Sequence, residues 1–144
     1  MAATGLVLAQ QLSAIGIQAD VQEVTWETWV SDVYRGRNYE ATVSGIAASD
    51  MTAREMLVRY ATDNNKNFIG FSDAEYDDVV SRAAATVDPE EQLQLYKRAQ
   101  EILNEQAASV WLQDLCDLVV MRPGLTGMTF YATYVLDMST ISYK

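Results

Sequence analysis

F-S-D-A-E-Y-D-D-V-V-S-R-A-A-A-T-V-D-P-E-E-Q-L-Q-L-Y-K-R-A-Q-E-I-L, from Phe71 to Leu103, carries two helix starts and the apolar faces that belong to them. The first start is Ser72-Asp-Ala-Glu75. It reads as a capping box, in which the serine hydroxyl and the glutamate carboxylate each satisfy an amide that the first turn leaves unpaired. Tyr76, Val79, Val80, Ala83, Ala84 and Val87 follow at helical spacing and predict one buried face. The second start is Asp88-Pro-Glu-Glu91. Asp88 is an acidic cap, Pro89 occupies the first helical position, where its missing N–H is not needed, and Glu90 and Glu91 sit where the macrodipole favours negative charge. Leu93, Tyr96, Ala99, Ile102, Leu103 and Ala107 form the expected buried stripe. Capped amphipathic helices occur in many soluble domains, so the pair predicts packing and no chemistry.

Working outward, a helix is expected from about Ala3 to Ile15, stopped by Gly16, a residue suited to a left-handed cap. Ile17, Ala19 and Val21 alternate with polar residues as a half-exposed strand. Thr25 can cap a helix that buries Trp26, Trp29, Val30 and Val33 and ends near Gly36. Ala41 to Ile46 reads as a strand, and Thr52 to Ala61 as a short helix with Met56, Leu57 and Tyr60 on one side. Asp63 to Asn67 is a turn cluster. Further strands are expected at Val110 to Leu112, at Leu118 to Met121 and at the carboxy-terminal end. Helices alternating with strands predict an α/β domain with a sheet of mixed direction. At 144 residues and 49% hydrophobic, residues 1–144 suffice for a single domain that buries roughly 68 to 70% of its unfolded surface.

The formal net charge is -10, from 20 acids against 10 bases. Nucleic acid is excluded as a partner on that ground, because phosphate binding needs a basic footprint. The acids fall at helix starts and on solvated faces, so they do not identify a cationic substrate. There is no histidine, which removes the commonest general base, the Ser-His and Cys-His pairs and every histidine metal site. Asp77-Asp78 and Glu90-Glu91 are adjacent on helices, so their side chains diverge by about 100° and do not converge on one substrate. Gly124 to Gly127 follows a Pro turn and lacks the lysine and the helix of a phosphate loop. Neither a metal nor another cofactor is expected, and no enzymatic activity. Cys116 is the sole cysteine, so no internal disulfide can form and the redox compartment stays open.

These segments resemble, in order, the carboxy-terminal lobe of the peptide and nickel type (family 5) of extracytoplasmic solute-binding proteins that serve ABC importers. The capped helix containing Tyr76-Asp77, the D-P-E-E start at Asp88 and the run Y-K-R-A-Q-E-I-L from Tyr96 to Leu103 carry the likeness. It is extended by the helix, glycine and strand of Leu8 to Ile17, by Val24 to Trp29, by Gly36 to Ile46, by the turn Arg122 to Gly127 and by the closing stretch Leu136 to Ile141. The resemblance implies a mixed-sheet lobe of a periplasmic-binding-protein-like (type II) fold, truncated, because members of that family are longer and add an amino-terminal lobe.

The same resemblance implies the substrate-binding component of an ABC importer, capturing a small solute, a peptide foremost, for transmembrane transport. Its partners would be the solute, the membrane permease and the missing amino-terminal lobe. Its location would be extracytoplasmic, as a periplasmic protein or a cell-surface lipoprotein. The alternative is a ligand-sensing domain of a bacterial transcriptional regulator. An upstream signal peptide or a helix-turn-helix in the reading frame would separate the two.

The segment expected to touch ligand is Gly45, Ile46, Ala47, Ala48, Ser49 and Asp50. It leaves a strand with small residues that let a bound molecule approach the backbone, at the end where α/β clefts form. The matching family segment commonly reads G-W-x-x-D-Y-x-D-P, with the tryptophan lining the cleft and the acid able to hold a peptide α-amino group. Here Ile46 stands at the tryptophan position, Ser49 at the first acid and Ala53 at the proline, and Asp50 comes one residue late. An extended peptide could still bind by main-chain strand addition. Trp26 and Trp29 are expected in the core. Tyr131, Tyr134 and Arg54 are the other residues placed to meet a ligand, although a solvent-facing arginine is the commoner arrangement on a helix.

Overall fold

A computed structural model describes residues 2–47, 50, 52–114, 118–131, 135 and 137–144. They divide into two compact units, one of residues 1–46 and 59–72, the other of residues 47–58 and 73–144. No helix among the described residues is long and apolar enough to cross a membrane.

In the first unit, α1 (Ala2–Ala14) is stopped as expected, with Gly16 in the left-handed region at φ 85°. The strand expected at residues 17–21 is not formed. Thr25 caps α2 (Trp26–Thr28), its hydroxyl accepting from the Thr28 amide. The chain then continues as a π-helical stretch, Trp29–Arg35, closed by bonds from the Gly36 amide to the Ser31 carbonyl and from the Arg37 amide to the Val33 carbonyl. The aromatic residues form a ladder in place of the expected buried helix face. Trp26 stacks on Trp29 at 5.1 Å and 12°, Trp29 meets Phe68 edge-on at 5.7 Å, and Tyr34 lies 5.3 Å from Phe68. Trp26 is 67% exposed and Trp29, Val30 and Val33 are half-buried, so the core assignment of this helix is corrected. The Trp29 indole donates to the Thr42 hydroxyl at 3.0 Å, which fixes the ring without burying it.

Asn67 organises the turn segment of this unit. It is 2% exposed, and its amide nitrogen donates to the carbonyls of Tyr60, Ala61 and Phe71. Two side chains tie the region after the π-helical stretch to the same loop. The Arg37 guanidinium donates to the Asn67 carbonyl at 2.7 Å, and the Tyr39 hydroxyl to the Phe68 carbonyl at 3.1 Å. Partial burial pushes the Tyr39 phenol above its usual range, with Arg37 opposing.

The second unit is built on three helices, α3 (Ala53–Val58), α4 (Ala74–Ala85) and α5 (Pro89–Glu105). Asp73, not Ser72, caps α4: its carboxylate accepts from the Tyr76 amide at 2.8 Å, while the Ser72 hydroxyl accepts from Thr62. The Asp88 cap of α5 is as expected, accepting from the Glu90 and Glu91 amides. Near the turn, Gln92 donates to the Ala83 carbonyl. Farther along α5, Arg98 reaches back to Glu75 at 2.8 Å, so α4 and α5 run antiparallel. Arg98 also meets Glu101 and Glu105, and these partners, Glu75 foremost, hold its guanidinium charged. All are exposed, so the cluster orients the hairpin more than it stabilises it.

The core of this unit is Leu57, Tyr76, Val79, Val80, Ala83, Leu95, Tyr96, Ala99, Ile102 and Leu103. Four members of the expected stripes do not belong to it. Ala84 lies about 100° around α4 from Ala83 and is exposed, and Val87, past the end of that helix, is 98% exposed. Leu93 sits about 120° around α5 from Ala99 and is 46% exposed, its expected place being taken by Leu95. Ala107 lies beyond α5 with φ 48°.

Among the described residues the strands are β1 (Leu125–Thr126) and β2 (Ser142–Tyr143), antiparallel with Leu125 opposite Tyr143. Gly127 closes this pair at φ 88°, where a Cβ would collide with the Thr140 carbonyl oxygen. The strands expected at residues 41–46, 110–112 and 118–121 are not formed either. A strand-like sequence marks a chain able to join a sheet, but a ladder needs a neighbouring strand. Val110, Trp111, Leu112, Leu118 and Val120 are exposed. Cys116 and Tyr134 lie outside the described residues.

Candidate functional site

Asp50, at the far end of the expected ligand-facing segment, is anchored to the start of α3. Asp50 accepts from the Thr52 amide at 2.9 Å and from the Thr52 hydroxyl at 2.7 Å. The Thr52 hydroxyl in turn accepts from the Glu55 amide, and the Glu55 carboxylate accepts from the Asp50 amide. This is a capping box widened by an aspartate-led turn, and it starts α3. The pattern Thr52-Ala-Arg-Glu55 is legible in the sequence as S/T-x-x-E. That signal identifies Thr52 as the cap and accounts for the Asp50 carboxylate, which is engaged by Thr52 within its own loop.

Of the other expected ligand-facing residues, Gly45 is exposed, and a Cβ placed on it would have nothing within 4 Å. Ile46 is half-buried and Ala47 exposed. Gly45 and Ile46 belong to the first unit, Ala47 and Asp50 to the second. Ala48 and Ser49 lie outside the described residues. Tyr131 is exposed, its hydroxyl donating to Asp137, which also accepts from the amide and hydroxyl of Ser139. Among the described residues no group of acids or cysteines is arranged to hold a metal ion.

The Thr52 hydroxyl first, and then the Thr52 amide, hold the Asp50 carboxyl below its usual range. A carboxyl whose pKa is depressed by folding contributes stability above its unfolded pKa, and that stability is lost as pH falls through the folded value. The start of α3 should therefore be ordered at neutral pH and loosen on acidification below the ordinary carboxylate range. Protection factors for the Thr52 and Glu55 amides, measured against pH by hydrogen exchange, should fall there in the wild type and stay level in Asp50→Asn. A profile unchanged by that substitution would assign the acid response to other carboxylates.

No protein-family profile matches the chain, and no curated protein matches it. Among solved structures it is similar to the unliganded open form of MppA, a periplasmic murein tripeptide binding protein, at 18% identity and a TM-score of 0.58. The likeness covers 72% of this chain and 20% of that one, and what it shows is the fold: the chain is built like part of a periplasmic binding protein.

Proposed function

We propose that the chain is part of the substrate-binding component of an ABC importer, capturing a small solute, a peptide foremost, outside the cytoplasm and catalysing no reaction. The observation that carries this reading is the fold shared with a tripeptide-binding protein. The match spans one fifth of that protein, which fits a carboxy-terminal lobe whose amino-terminal counterpart and membrane permease are its partners. The exposed apolar stretches 110–112 and 118–121 agree with it. They have strand-like sequences without a sheet, and in this reading the remainder of the two-lobed protein supplies the neighbouring strands and covers them. Ligand then meets the small-residue segment Gly45 to Asp50 and is enclosed by hinge closure.

Gly45→Trp tests the site. Open space around Gly45 accommodates a side chain, so the substitution should leave the fold intact while filling the ligand's side of the segment. In the full-length product of the reading frame, short peptides from a di- to pentapeptide library should raise the melting temperature of the wild type in proportion to saturation. The variant should melt at the same temperature without ligand and show no shift with it. An undiminished shift in Gly45→Trp would remove this segment from the binding site, and no shift of the wild type with any peptide would remove the peptide reading.

A further inference from the structure

The first turns of α3 and α5 line one groove of about 540 Å³, within the size range of small-ligand sites. Ala53, Arg54, Pro89, Glu90, Leu93 and Tyr96 supply most of its lining. Two observations separate it from an ordinary surface furrow. Its charged side chains are one of each sign, yet Arg54 and Glu90 stand beyond ion-pair distance of one another, and neither side chain has a hydrogen-bond or ion-pair partner among the described residues. Of the other arginines of the same unit, Arg82 and Arg98 are each held by carboxylates. The second observation is Leu93, which lies off the core stripe of α5 and is nevertheless apolar and half open, facing this groove.

A guanidinium recognises a carboxylate through two parallel N–H bonds, a carboxylate recognises an ammonium, and Leu93, Tyr96, Ala53 and Pro89 offer apolar contact between them. We propose that this groove binds a small apolar zwitterion, a free amino acid or a dipeptide, with Arg54 taking the carboxylate, Glu90 the ammonium, and Leu93 and Tyr96 the side chain. A ligand bearing only one of the two charges meets one attraction and one repulsion, so the paired charges select the zwitterion by rejecting singly charged analogues. The inference rests on the groove alone and does not need the peptide-binding reading, whose candidate segment ends at Asp50.

Titration of the isotope-labelled 144-residue chain, followed by amide NMR shifts, is the test, with L-leucine, N-acetyl-leucine, leucinamide and glycine as probes. Leucine should give saturable shifts at residues 52–55 and 90–96. Each singly charged analogue and glycine should bind about tenfold more weakly, a difference of about 1.4 kcal/mol. Arg54→Gln should weaken leucine and remove its advantage over leucinamide, while Glu90→Gln should remove its advantage over N-acetyl-leucine. Neither side chain supports the fold through a bond, so both variants should keep the wild-type spectrum elsewhere. Equal affinity for all four probes, an unaltered preference in both variants, or no saturable shift with leucine would overturn the proposal. Leucine shifts confined to residues 45–50 would also overturn it, while leaving the peptide site standing.

Discussion

Tyr76→Ala should lower the unfolding free energy by about 3 to 5 kcal/mol, the range for removing a large buried ring. Tyr76 is fully buried, in the first turn of α4, and its hydroxyl donates to the Leu57 carbonyl in α3 at 2.7 Å. The side chain therefore does two separable things: the ring fills the space beneath α4, and the hydroxyl satisfies a buried carbonyl of another helix. Tyr76→Phe keeps the ring and removes the donor, and should cost about 1 to 3 kcal/mol, because the carbonyl is left unsatisfied. Urea melts of both variants with a linear extrapolation measure the two contributions. A phenylalanine variant as stable as wild type would mean that the Leu57 carbonyl finds water, and that α3 is held by packing alone.

Leu103→Ala should cost about 2 to 5 kcal/mol, whereas Gln94→Ala should cost under about 0.5 kcal/mol. Leu103 is 1% exposed, at the distal end of the buried stripe of α5, and the smaller side chain leaves a cavity that the surrounding helices fill only in part. Gln94 is exposed on the same helix. Both sites lie inside a 17-residue helix, so the difference between them isolates burial from helix propensity. Because a domain of this size is stable by only about 5 to 15 kcal/mol, the leucine variant should show a clearly earlier urea midpoint. Coincident midpoints for the two variants would place the buried face of α5 elsewhere.

The local grammar of the helices was open to inspection in the residues. Gly16, Thr25 and Asp88 stop or start helices where their chemistry says they should, since caps and left-handed turns are decided within a few residues of chain. Asp73 displaced Ser72 as the cap of α4, because adjacent side chains both able to accept from the first turn compete, and the Ser72 hydroxyl is engaged with Thr62. The candidate site was legible in part. Small residues mark Gly45 and Ala47 as exposed, but the engagement of Asp50 by Thr52 had its own signal in Thr52-Ala-Arg-Glu55.

By itself the sequence determined the α4–α5 hairpin, the Asp88 cap and most of its buried face, because period and capping are properties of neighbouring residues. The tertiary structure decided that Leu95 and not Leu93 enters the core, since which edge of an apolar face is covered depends on the helix packed against it. It also decided that Trp26 stacks in the open instead of being buried, because a stripe of aromatic residues does not say what lies across from it. The expected strands fall to the same reason: the alternation at 17–21 and the apolar character of 41–46, 110–112 and 118–121 are local properties, whereas a ladder exists only when another segment lies alongside to share its hydrogen bonds.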